Sequence, residues 1–183
     1  GGHRLQEFTC DSLLSNISMV FQSVYLFHDT IRANICFGKP DATEAEMIAA
    51  AKKACCHDFI QALPNGYDTI IGEGGGTLSG GEKQRISIAR AIARHPEILI
   101  FDDSFSALDY KTARILRKTL EETCKDTTRI IVAQRIGTIR DADQIIVLDE
   151  GKIAGIGRHE ELMQTCDVYQ QIALSQLSKE ELV

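Results

Sequence analysis

Three short runs of mostly β-branched apolar residues, Ile98–Phe101, Ile130–Ala133 and Ile145–Leu148, constrain the fold of this chain more than any other feature. Each is short for a helix and lacks polar alternation, the pattern of a strand covered on both faces. Between the first two, residues 111–124 carry Ala113, Leu116 and Leu120 along one helical side, and a shorter helical turn at 136–140 precedes the third. Strands alternating with helices predict a parallel sheet with right-handed crossovers. Asp149-Glu150-Gly151-Lys152 then reads as a turn into a last strand, Ile153–Gly157, followed by helical pieces over 159–176.

The part before these strands is helical in rhythm. Thr43 and Glu46 have capping-box spacing, and Met47, Ala50, Ala51 and Ala54 follow at i, i+3, i+4 and i+7. That helix is expected to close over 55–63, before the turn Pro64-Asn65-Gly66. Ser79 and Glu82 repeat the capping-box spacing and predict a helix to about Arg94, where His95-Pro96 stops it. Nearer the amino terminus, Asp11-Ser12 offers an N-cap for a short helical turn and Ile17–Phe21 reads as a strand.

Composition removes several classes of function. With 183 residues, 44% apolar and 25% charged, the chain has the makeup of about one folded domain. Twenty basic against 26 acidic side chains, a net charge of −6, argue against a nucleic-acid binder. The longest apolar run, Met47–Ala51, is far short of the roughly 18 residues of a membrane span, so any membrane role is expected to come from another segment. Residues 1–14 are too polar for a signal peptide. Cys10, Cys36, Cys55, Cys56, Cys124 and Cys166 show no C-x-x-C spacing and fit buried or half-buried thiols of a reducing cytosol. Adjacent Cys55, Cys56 and His57 would diverge on a helix and make a poor metal site.

Two motifs carry chemistry. The strand Ile98–Phe101 ends in Asp102-Asp103, and ligands of open α/β sheets bind beyond the carboxyl ends of strands. A carboxylate there can hold a hydrated Mg²⁺ that bridges nucleotide phosphates. In Leu78-Ser79-Gly80-Gly81-Glu82-Lys83-Gln84-Arg85, two glycines open a helix. They remove the Cβ atoms that would keep a phosphate from the backbone N–H groups, and the helix dipole adds partial positive charge. As plain structure, Ser79 only caps its helix.

In this order and spacing the chain resembles the nucleotide-binding domain of an ATP-binding-cassette (ABC) exporter, over essentially its whole length. Leu78–Arg85 resembles the signature motif, Ile98–Asp102 the Walker B strand, Ser106-Ala107-Leu108-Asp109 the D-loop, and Gln22 the Q-loop glutamine. Thr69–Gly74, with Glu73 its acidic member, resembles the segment that faces the transmembrane helices, and residues 25–31 the stretch that meets the coupling helices. The resemblance implies an α/β fold of the P-loop NTPase type, a mostly parallel sheet with an inserted helical subdomain. That subdomain, with the signature, would span about 30–95, and the Walker B, D-loop and switch part 96–183. It also implies ATP and Mg²⁺ as cofactors. Asp102 and Gln22 would serve the metal; Gln22, Ser79, Gly80, Gly81, Glu82 and Asp109 the nucleotide; Asp103 and Gln134 the catalytic positions.

Three departures qualify the resemblance. No G-x-x-x-x-G-K-[ST] occurs, so the chain is expected to lack the first strands and the P-loop, and to be inactive alone. Asp103 stands where the family has the glutamate that orients the attacking water, and is one methylene shorter. Gln134 stands where the family has the switch histidine; its amide can donate but cannot become cationic. In the family two such domains pair head to tail, each signature completing the other's site. The pattern therefore resembles one half of a heterodimeric exporter. Its own hydrolytic site is degenerate, its signature serves the partner, and it lies on the cytoplasmic face of the membrane beside a transmembrane domain of the same or another chain. Two alternatives are a soluble nucleotide-gated clamp, against which the absence of heptads between Gln22 and Ser79 speaks, and a non-functional truncated fragment. Lys83, Arg85, Arg90 and Arg94 are read as a solvated or interdomain helix face in preference to a phosphate or lipid site.

Overall fold

The computed structural model describes residues 2–72 and 78–180. The chain falls into two compact units, Gly1–Val132 and Ala133–Val183.

In the first unit α1 (Cys10–Asn16) leads into β1 (Ile17–Val20). The cap of α1 is Thr9, whose hydroxyl accepts from Ser12 N–H, and not Asp11-Ser12, which lie inside the helix. Helices α2 (Ile31–Cys36) and α3 (Glu44–Lys53) follow; Thr43 and Glu46 form the expected reciprocal cap, and Met47, Ala50, Ala51 and Ala54 are buried. Two helices replace the single closing one expected over 55–63. Cys55 turns into the left-handed region (φ 54°), which ends α3 and lets α4 (His57–Gln61) leave in a new direction. Helix α5 (Gly80–Ala93) ends at another left-handed residue, His95 (φ 53°), just before Pro96.

Next come β2 (Ile98–Asp102), α6 (Tyr110–Thr123) and β3 (Thr128–Val132). The strands form a parallel sheet in the order β1-β2-β3, with Met19 opposite Ile100 and Phe101 opposite Ile131. One core joins Val20, Leu99 and Phe101 of the sheet to Ile86 and Ile88 of α5 and to Leu116 and Leu120 of α6. The expectation of strands covered on both faces is met on one face only: Met19, Ile130 and Val132 are exposed. Alternation along a strand puts Met19, Ile100 and Asp102 on that same barer face.

The second unit comprises α7 (Ile136–Ile139), β4 (Ile145–Asp149), β5 (Lys152–Gly157), α8 (His159–Thr165) and α9 (Asp167–Glu180). Here the third apolar run departs from the expected parallel pairing. Glu150 (φ 47°) and Gly151 (φ 75°) are consecutive left-handed residues, the geometry of a tight hairpin turn, so β4 pairs antiparallel with β5. Ile145, Val147, Leu162, Cys166 and Tyr169 make this unit's core. A Cβ on Gly155 would stand 3.0 Å from both Cys166 Sγ and Leu162 Cδ2, so a glycine lets α8 lie close against β5. All six cysteines are free; Cys56, Cys124 and Cys166 are buried, whereas Cys10, against the expectation, is exposed.

Candidate functional site

Parallel pairing carries the ends of β1 and β2 to the same edge. Gln22, two residues past β1, donates from Nε2 to Asp103 Oδ2 at 3.2 Å across 81 residues of sequence. Asp103 is held in the left-handed region (φ 45°), its N–H donating to the Val132 carbonyl at 3.0 Å and its own carbonyl accepting from Ser106 Oγ at 2.7 Å. The fully buried Ser104 donates from Oγ to the Val20 carbonyl at 2.6 Å and ties the two strand ends together. Asp102 ends β2 half-buried on the barer face of the sheet. A magnesium-class cation takes hard oxygen donors, commonly one or two carboxylates with water and phosphate oxygens. The Asp102 carboxylate and the Gln22 amide oxygen are donors of this kind, so the residues fit such an ion.

A second cluster forms where α5 begins. Ser79 Oγ accepts from Glu82 N–H at 3.3 Å, and Glu82 Oε2 accepts from both the N–H and the Oγ–H of Ser79 at 2.8 Å. Glu82 therefore acts as a cap. Ser79 and Gly80 are exposed, and a Cβ on Gly80 would meet nothing within 4 Å. On Gly81 it would meet Leu108 Cδ2 at 3.5 Å and the Ala107 carbonyl at 3.6 Å, so the loop 106–109 lies under the turn. Asp109 caps α6 by accepting from Thr112 N–H at 2.9 Å, and hydrogen bonds from the Thr112 hydroxyl and then its N–H hold the Asp109 carboxyl below the usual range.

Gln134 belongs to the second unit, where it is exposed and its carbonyl accepts from Gln176 Nε2 at 2.7 Å. The two segments compared with the transmembrane-facing parts meet in the first unit: Thr30 bridges Ile70, Ile31 N–H donates to the Thr69 carbonyl, and Ile71 N–H donates to the Asp29 carbonyl. Tyr25, Phe37 and Ile70 are exposed on this unit. Glu73 and Gly74 lie outside the described residues.

Of the four basic residues along α5 read as a solvated or interdomain face, the three arginines instead bind backbone carbonyls within the first unit. Arg85 donates to the carbonyls of Cys55 (2.8 Å) and Gly81 (3.3 Å) and lies 4.6 Å over the Phe59 ring. Arg90 donates to the Tyr25 and Asn34 carbonyls and to Asn34 Oδ1 over the Phe27 ring; burial without an acid lowers its pKa. Arg94 donates to the carbonyls of Leu14 and Ile17. Residue-type reasoning also gave no role to Ser104 or to Gln84, which donates to the Phe21 carbonyl. The one hint was a lone amide on the side of α5 that carries isoleucines.

The family described as ABC transporter matches residues 1–106. The chain belongs to this family. It is 46% identical over 168 residues, 92% of the chain, to YknU of Bacillus subtilis (strain 168), an uncharacterized ABC transporter ATP-binding protein. It is 46% identical over 171 residues to a Staphylococcus aureus (strain NCTC 8325 / PS 47) protein provisionally named for multidrug export, an ATP-binding/permease protein. A bacterial Atm1-family ABC exporter solved with ATP bound has the same fold, with a TM-score of 0.91 and 42% identity over 96% of this chain. The chain spans 29% and 30% of the two relatives' lengths and 31% of the solved exporter.

Proposed function

We propose that this chain is part of the ATP-binding module of an ABC exporter, coupling ATP binding and hydrolysis to export through a transmembrane domain, on the cytoplasmic face of the membrane. The observation that carries the proposal is the Gln22–Asp103 hydrogen bond, which assembles the amide and carboxylates beyond the ends of two parallel strands. ATP and Mg²⁺ are its cofactors. Bound there, the ion would neutralise phosphate charge; Asp102 and Gln22 would hold it.

The chain's own hydrolytic site is degenerate. Asp103 sits where a base must come within about 2.6–3.2 Å of the attacking water, and its side chain falls short of a glutamate by one carbon–carbon bond, about 1.5 Å. Its backbone is tied to Val132 and Ser106, so the strand end has little freedom to advance and restore the reach. Gln134 offers an amide donor to the terminal phosphate and no cationic form. Ser79, Gly80 and Gly81 present helix-start amides to a triphosphate held by a second ABC subunit of different sequence, in a heterodimer. The signature Gly80 and Gly81 leave the approach to those amides open.

The test is turnover of the assembled exporter. The double variant Asp103→Glu with Gln134→His should raise ATP hydrolysis at this chain's own site, by up to about 10²-fold if a base displaced by about 1 Å is what limits it, read in single turnover with the partner's site disabled by Gly81→Asp. Turnover unchanged by the pair would refute a degenerate site.

A further inference from the structure

The first turn of α5 is held from two directions, and both lead back to Gln22 and Asp103. On one side Gln84, 1% exposed, donates from Nε2 to the Phe21 carbonyl at 3.2 Å. One peptide bond further on, Gln22 donates to Asp103. On the other side the Asp103 carbonyl accepts from Ser106, and Ala107 and Leu108 run on to lie under Gly81. Three residues along α5, Gln84 closes the ring.

The side chain at 84 is the informative one. The other buried residues of α5 are Ile86, Ile88, Ala89, Ala91, Ile92 and Ala93, all apolar. A buried amide is costly unless its donor is used, and an unbranched aliphatic chain would serve packing alone. The donor meets a carbonyl where β1 hands over to Gln22.

We propose that Gln84 is a positioning residue that couples this chain's two nucleotide contacts. A displacement of Gln22 at the chain's own nucleotide passes through the Phe21 carbonyl to the glycyl turn offered to the second subunit. The proposal rests on the function proposed above. Coupling free energies are reciprocal, so nucleotide at the partner's site acts back on Gln22 to the same extent.

The experiment is a double-mutant cycle on ATP turnover in the assembled exporter, pairing Gln22→Ala with Gln84→Met. Methionine keeps the length of the side chain and removes the donor. Gln84→Met should lower kcat about five-fold, the worth of one ordinary hydrogen bond, with KM within two-fold of the parent. Because the residues act in series, the double variant should turn over no more slowly than the slower single variant. Effects that multiply would mean that Gln84 only supports the fold, and would overturn the proposal. Should the methionine variant not assemble, Gln84→Glu, which exchanges the donor for an acceptor, enters the same cycle with the same two outcomes. Gly81→Asp separates the two failures. If that variant turns over at the parent's rate, the signature faces no nucleotide and the functional reading falls, taking the coupling with it. If it is inactive while the Gln22 and Gln84 effects multiply, only the coupling falls.

Discussion

Gly81→Asp should abolish turnover while leaving the fold intact. Gly81 has no left-handed φ, and an added Cβ would make only ordinary contacts, 3.5 Å to Leu108 Cδ2 and 3.6 Å to the Ala107 carbonyl. An acid in the first turn of a helix also suits its dipole, by about 0.3–1 kcal/mol, so the melting temperature should hold or rise slightly. Under the proposed function the cost falls on the nucleotide. At about 5 Å from one phosphate charge and an effective dielectric constant near 20, the repulsion is about 3 kcal/mol, or at least 100-fold in rate. Gly81→Asn adds the same bulk without the charge. It should lose only the close approach of one phosphate oxygen to a backbone N–H, about 1.5–3 kcal/mol in a charge-assisted bond, so it should keep more activity than the acid. The assay is steady-state ATP hydrolysis by the assembled exporter, with a thermal melt of each variant. Equal rates for Asp and Asn would refute the electrostatic reasoning. Parent-like rates for both would refute the placement of a phosphate at this turn.

Two further predictions concern the fold. Leu116→Ala empties a fully buried position between α6 and the sheet and should cost about 2–5 kcal/mol, read as a lower denaturant midpoint in the intact protein. Glu46 is held down to about 2 by Lys39 Nζ at 2.6 Å and by Thr43. Its folded value lies below the unfolded one, so its contribution to stability is complete above the ordinary carboxylate range and is lost as pH falls toward 2; Glu46→Gln should flatten that part of the stability–pH profile.

Where side-chain pattern and local geometry agree, the fold is legible in the residues. The caps at Thr43–Glu46 and Ser79–Glu82 and the strand at Ile98 required only spacing, because their partners lie within four residues or repeat with a fixed period. Pairing was harder. Ile145–Leu148 has the composition of a central parallel strand, yet the turn read at 149–152, with two left-handed residues at 150–151, is tight enough to pair it with the next strand as a hairpin. The Gln22–Asp103 contact spans 81 residues; motif order brings both to one list, but only the β1–β2 register makes them neighbours. The arginines of α5 misled for a similar reason. Charge suggests water, and nothing in the sequence tells that backbone carbonyls of three separate segments wait for them.

That arrangement has a consequence for how α5 behaves under stress. Arg85, Arg90 and Arg94 grip uncharged oxygens at 2.7–3.3 Å. Guanidinium stays cationic at any physiological pH, and an amide carbonyl has no proton to gain there. Acidification that would silence a carboxylate clasp, or salt that would weaken an exposed ion pair, should disturb these bonds less. The helix is thus clasped to three neighbouring segments by bonds that need no carboxylate to stay ionised.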